Sequence, residues 1–90
     1  MRGIELIELD ARGLAHPEPL ERSVAILRTL GPSQALHLVI ARLPVPLLQI
    51  AKSGGFDHEA CEKEEGEWHV FIAHRGRCDL KSLLAEYCDV

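Results

Sequence analysis

The sequence predicts an α+β two-layer sandwich of order β-α-β-α-β-β, with a four-stranded mixed sheet, two helices on one face and an extra C-terminal helix. Three observations predict it. Four short runs are rich in β-formers. Two amphipathic stretches open with proline and end at glycine. Glu64-Glu65-Gly66 separates the last two β-rich runs at hairpin spacing. Ninety residues suffice for one domain with a small core, and a hydrophobic fraction of 47% argues against disorder.

Residues 4–9 (IELIEL) form the first strand, with imperfect alternation because Leu6 and Ile7 are both apolar. A loop containing Gly13 follows. Pro17-Glu18-Pro19 opens the first helix, since proline suits a first turn and Glu18 and Glu21 favour the positive end of the macrodipole. Leu20, Val24 and Leu27, at i, i+4 and i+7, predict one buried stripe that Leu30 extends, while Glu18 and Arg22 form a weak exposed pair. Gly31-Pro32 stops this helix. Residues 35–41 (ALHLVIA) form the second strand, with Leu36, Leu38 and Ile40 on one face and His37 and Val39 on the other.

Pro44 and Pro46 open a shorter second helix that runs through Ile50 to Lys52 and ends at Gly54-Gly55. Residues 56–63 and 67–74 are the hairpin strands. Trp68, Val70 and Ile72 face one way, and His69, Phe71 and Ala73 the other. Asp79 is a good N-cap, and Leu80, Leu83, Leu84 and Tyr87 make an apolar stripe over about two turns. So short a helix does not persist alone, so its stripe docks on the open face of the sheet or on a partner subunit. Residues 1–75 are expected to form the domain and residues 76–90 its helical extension.

Composition excludes several classes of function. A formal net charge of −4 gives no bulk support to nucleic-acid binding, although ten Lys and Arg leave room for a local anion site. No apolar run reaches the roughly 18 residues of a membrane span. Acidic residues follow closely on Met1, unlike a signal peptide, so a soluble cytoplasmic chain, monomeric or homodimeric, is expected. Cys61, Cys78 and Cys88 are odd in number and lack CxxC spacing, which predicts buried or idle thiols and neither a disulfide framework nor a zinc motif. His37, His58, His69 and His74 lie on strands without ligand-like spacing and are expected as exposed-face side chains beneath the last helix. A hairpin centred on Glu65 sets His69 opposite Cys61, but two ligands do not make a metal site. No cofactor or metal is expected. No Ser-His-Asp pattern, phosphate loop or paired-carboxylate motif supports catalysis, and Glu59, Glu62, Glu64, Glu65 and Glu67 read as a solvated hairpin.

The most informative stretch is residues 9–19, Leu-Asp-Ala-Arg-Gly-Leu-Ala-His-Pro-Glu-Pro. It resembles the signature of the TusA/SirA-like sulfur carriers: a strand ending in Leu-Asp, a loop with Gly-Leu, then Cys-Pro-x-Pro opening the first helix. Here His16 stands where those carriers place cysteine. The resemblance continues through Gly31-Pro32 and the β-β ending, over about residues 4–75. Asp10 and Arg12, with Pro44-Val45-Pro46-Leu47, resemble still more closely a sister family, domain of unknown function 2249, which lacks the carrier cysteine. In the carriers a cysteine at a helix N-terminus has its thiolate favoured by the dipole and can hold a persulfide. Imidazole cannot, and no other cysteine lies near that helix start in sequence. The resemblance implies a context in sulfur or redox metabolism.

A right-handed β-α-β crossover brings the C-terminal ends of the first two strands, and so the N-termini of both helices, to one edge of the sheet. Asp10, Arg12 and His16 come from the first loop and Arg42 from the second. Two helix N-termini and two arginines suit an anion or acidic small molecule. Arg12 either joins that site or braces the loop through Asp10. His16 either contacts a ligand, binds a metal or organises the loop. Three functions follow: a non-catalytic small-molecule binding module, a protein-interaction module keeping the carrier's docking surface, or a sulfur or metal handler using His16 or the cysteines.

Overall fold

The computed structural model describes residues 3–88. Its elements are β1 (Glu5–Asp10), α1 (Glu18–Thr29), β2 (Gln34–Ile40), α2 (Val45–Ser53), β3 (Phe56–Glu64), β4 (Glu67–His74) and α3 (Leu80–Tyr87). The four strands form one mixed sheet in the order β1-β2-β4-β3. β1 and β2 run parallel, with Leu9 beside Leu38, while β4 pairs antiparallel with both β2 and β3. The predicted α+β architecture is therefore present in full, including the hairpin turn, where Glu64 pairs with Glu67 and Gly66 adopts φ 78°.

Cross-strand register explains the layers. Leu36 pairs with Ile72 and Leu38 with Val70, so these four side chains share one face of the two central strands. Together with Leu27 and Leu30 at the end of α1 and Leu47 and Ala51 of α2 they form the larger core. Both crossover helices therefore cover this face. Ala35, Phe71 and Ala73 point to the other face and form a smaller core with Leu80 and Leu83 of α3. The terminal helix thus docks on its own sheet. Asp79 begins it as predicted, accepting hydrogen bonds from the Ser82 N–H (3.2 Å) and the Ser82 hydroxyl (2.7 Å).

One helical stripe differs from the periodicity. Ser23 and Leu27 are the buried positions of α1, while Leu20 and Val24 pack only partly buried against the core. Ser23 tolerates burial because its hydroxyl donates to the Pro19 carbonyl at 2.7 Å, a satisfied polar group that pattern reading assigns to solvent. Among the described residues, no helix is long and apolar enough to cross a membrane.

Leu38 is fully buried at the centre of the larger core, whereas Ile50 on α2 is 45% exposed. Leu38→Ala is expected to cost about 2–5 kcal/mol in a denaturant titration, and Ile50→Ala about 0.5 kcal/mol or less. Equal losses would contradict this assignment of the core.

Candidate functional site

The chain leaves β1 at Asp10, makes one further parallel hydrogen bond from Ala11 N–H to the Val39 carbonyl (2.7 Å), and reverses. Leu14 N–H closes a turn onto the Ala11 carbonyl at 3.2 Å, with Gly13 at φ 87°. That is a type II turn, which requires positive φ at its third position and hence glycine. Arg12 at the second position folds back. Its main-chain N–H and Nε donate to Asp10 Oδ1 (3.1 and 2.9 Å), and its Nη2 donates to Oδ2 (2.8 Å). These hydrogen bonds hold the Asp10 carboxyl at a pKa of about 2. The other arm of the guanidinium lies 3.6 Å from Glu67 of β4. Asp10 and Arg12 therefore form a loop brace tied to the sheet.

The loop ends in a cis His16–Pro17 bond and enters α1. Pro17 is the N-cap of α1 and Pro44 that of α2, and neither helix start carries a side-chain cap. Pro19 and Pro46 have no N–H to offer, and the third residues, Leu20 and Leu47, have no i−4 acceptor within their helices. Both starts open on a cavity of about 450 Å³, a size suited to a small organic ligand. Leu14, Leu20, Ile40, Leu43 and Leu47 supply apolar wall, and His16, Arg42 and Ser23 the polar side chains. The structure thus brings two of the four sequence-predicted residues, His16 and Arg42, to one cavity. Asp10 and Arg12 fall outside its lining. Ser23 and the leucine walls were missed because residue types alone do not reveal that an amphipathic helix stops short of filling the edge.

A second polar cluster lies on the opposite face, under α3, where two expectations are corrected. His37 and His69 are not exposed-face side chains. They are 5% and 7% exposed: Tyr87 of α3 packs on the His37 ring, and His37 in turn stacks with His69. The cysteines are not all idle thiols, since Cys61 on β3 is disulfide-bonded to Cys88 at the end of α3, with Cα atoms 6.6 Å apart. Spacing could not show this pair, because it joins a strand to the terminal helix across 27 residues. Cys78 stands outside that bond, and its thiol pKa is raised by burial first and by Asp79 second.

Within this cluster His37 Nε2 lies 2.9 Å from His69 Nδ1, and His69 Nε2 lies 2.6 Å from Glu67 Oε2. His37 Nδ1 is 3.5 Å from Glu8 Oε2. The partners assign the protons: His69 donates from Nε2 to Glu67, which leaves Nδ1 to accept from His37 Nε2–H. The hydrogen bond from His69 is the first cause of a Glu67 pKa below the usual range. Burial is the first cause of the lowered His37 pKa, opposed by Glu8 and reinforced by His69. Among the described residues, no three His, Cys, Asp or Glu side chains are arranged as a metal centre in this disulfide-bonded form.

Over residues 8–74 the chain matches the family described as Uncharacterized conserved protein (DUF2249). It belongs to that family. No curated protein and no solved structure matches it. The DUF2249 match spans the braced loop, both helix starts, His37, Cys61 and His69, whereas α3 with Tyr87 and Cys88 lies beyond it.

A histidine whose folded pKa is lowered binds fewer protons than its unfolded form, so its contribution to stability is full above the ordinary value of 6.5. It is lost as pH falls from there through the lower folded value. Hydrogen exchange of α3 is expected to accelerate as pH drops below about 6.5, after correction for the intrinsic rate, and His37→Phe should flatten that dependence. A flat profile in the native chain would contradict the burial of His37.

Proposed function

We propose that this chain is a non-catalytic binding module whose ligand is a small acidic molecule with an apolar body, held in the cavity between the first turns of α1 and α2. The supporting observation is that His16 and Arg42 stand at the mouths of two uncapped helix starts above an apolar wall. The ligand's charge meets Arg42 and the positive ends of both helices. His16 contributes a hydrogen bond, and the leucines take the body of the ligand. Asp10 and Arg12 serve this site at one remove, by holding the loop that presents His16. The resemblance of residues 9–19 to the sulfur carriers suggests an acid of sulfur or redox metabolism. Persulfide carriage has no support, because Cys61 and Cys88 are bonded to each other and burial raises the Cys78 thiol pKa.

A second reading is favoured by one observation. Leu43 and Val45, beside the same cavity, are 37% and 49% exposed, which suits a partner protein that places an acidic, apolar segment there.

Calorimetric titration with benzoate, benzamide and inorganic phosphate tests the proposal. Benzoate is expected to bind measurably, and benzamide at least about tenfold more weakly, as loss of a charged hydrogen bond predicts. Arg42→Gln should weaken benzoate by about tenfold or more, while Lys81→Gln, on α3, should change nothing. Equal affinity for benzoate and benzamide, or indifference to Arg42→Gln, would contradict the acid-binding reading. Failure of all three probes would favour the protein partner.

A further inference from the structure

The cluster under α3 carries an inference that the cavity does not. Four side chains able to bind a soft or borderline metal converge there from three strands and the terminal helix. Cys61 is the direct cross-strand partner of His69. Opposed residues of an antiparallel pair place their side chains on one face, about 4.5–5.5 Å apart at Cβ. His69 Nδ1 touches His37 Nε2, Tyr87 lies over the His37 ring at 4.7 Å between centroids, and the next residue, Cys88, is bonded to Cys61. Of these four groups, only the disulfide prevents two from acting as ligands. We propose that reduction of the Cys61–Cys88 disulfide converts this cluster into a tetrahedral zinc site formed by Cys61, Cys88, His37 Nε2 and His69 Nδ1.

The outer contacts of the two imidazoles support this assignment. A metal-bound histidine characteristically gives its remaining ring N–H to a carboxylate or carbonyl, which fixes the tautomer and aims the free nitrogen at the metal. Each ring here turns one nitrogen toward the other ring and its second nitrogen toward a carboxylate, Glu67 for His69 and Glu8 for His37. The nitrogen pair sits close to the separation that a tetrahedral ion needs, and the sulfur pair reaches it once the disulfide is reduced. Two nitrogens bound to tetrahedral zinc lie roughly 3.3 Å apart and two thiolate sulfurs roughly 3.8 Å apart. The imidazole pair, at 2.9 Å, opens by a few tenths of an ångström. The sulfurs, once reduced, move apart to about ordinary non-bonded contact, which is the separation that the metal takes.

The chemistry balances. A dithiol reductant transfers two electrons and two protons to the disulfide and becomes a disulfide itself, leaving two cysteine thiols. Zinc binding then releases the two thiol protons. The proton on His37 Nε2 moves to Nδ1, where it is hydrogen-bonded to the Glu8 carboxylate, and Nε2 is freed for the metal. His69 keeps its Nε2 proton on Glu67. Both states fasten α3 to the sheet, one by a disulfide and the other by a metal. Strong reductants are the condition under which structural disulfides do not persist, and there the metal form takes over.

The test uses the full chain, reduced with a phosphine that does not bind metal, then titrated anaerobically with Co²⁺ and separately loaded with Zn²⁺. One Co²⁺ per chain is expected, with thiolate-to-cobalt charge transfer and tetrahedral ligand-field bands. X-ray absorption of the zinc form should show two sulfurs and two nitrogens. The oxidised chain should give neither signature. Cys78→Ser should bind as the native chain does, Cys88→Ser should lose a sulfur, and Glu67→Gln should lower affinity about 10–100-fold without changing the ligand set. The absorption measurement on the native chain needs no variant to fold. A reduced chain that takes up no metal, a coordination sphere without sulfur, or equal uptake by the oxidised chain overturns the proposal.

Discussion

The two central strands are buried on both faces, and the rest of the molecule is arranged around that requirement. β2 buries four successive residues, Ala35 to Leu38, and β4 buries five, His69 to Ala73. Alternating side chains send half of each set to either face, so each face needs its own cover. The leucine face is covered by α1 and α2, which the β-α-β connection places there. The other face carries His37, His69 and Phe71 and has no crossover helix. A helix of eight residues supplies its cover, too short to hold itself together, and its attachment therefore comes from an aspartate cap, two leucines, a tyrosine ring and a disulfide.

The same arrangement separates two kinds of chemistry. At the edge where β1 and β2 end, helix starts without side-chain caps and a loop braced by Asp10 and Arg12 surround an open cavity. The brace explains why the first loop can present His16 without filling the space in front of it: the guanidinium is committed to Asp10 and directed toward Glu67. Glu67 also joins the two sites, since its second oxygen accepts from His69 on the α3 side. A buried histidine pair is costly unless its nitrogens are partnered, and here Glu67 accepts from His69 while His37 gives its proton to His69.

Much of this was legible in the sequence, and the missing parts have definite causes. Every strand and helix was readable, the first two helices because periodicity, prolines and glycines agreed at their boundaries and the last because Asp79 precedes an apolar stripe. The convergence of His16 and Arg42 followed from chain handedness alone. Arg12 was undecided because a side chain two residues from an aspartate can serve either the loop or a ligand, and only the turn at Gly13 directs it back. Ser23 was not singled out because its partner is a main-chain carbonyl four residues earlier, which polarity patterns do not register. On the α3 face the docking of the terminal helix was legible, but the burial of its histidines and the disulfide were not. Histidines on an alternating strand look like a solvent-facing pattern, and the disulfide depends on where a terminal helix lands. Cys61 opposite His69 was predictable from hairpin register; Cys88 and His37 joined them only through tertiary packing.

In the proposed function the edge between the two helix starts, and not the far larger remaining surface, receives the ligand. The decisive measurement is an amide-shift map of the ¹⁵N-labelled chain on addition of benzoate. The largest shifts are expected at Leu20 and Leu47 and in the loops carrying His16 and Arg42, with the α3 face silent. Shifts scattered over the surface, or centred on the α3 face, would contradict it.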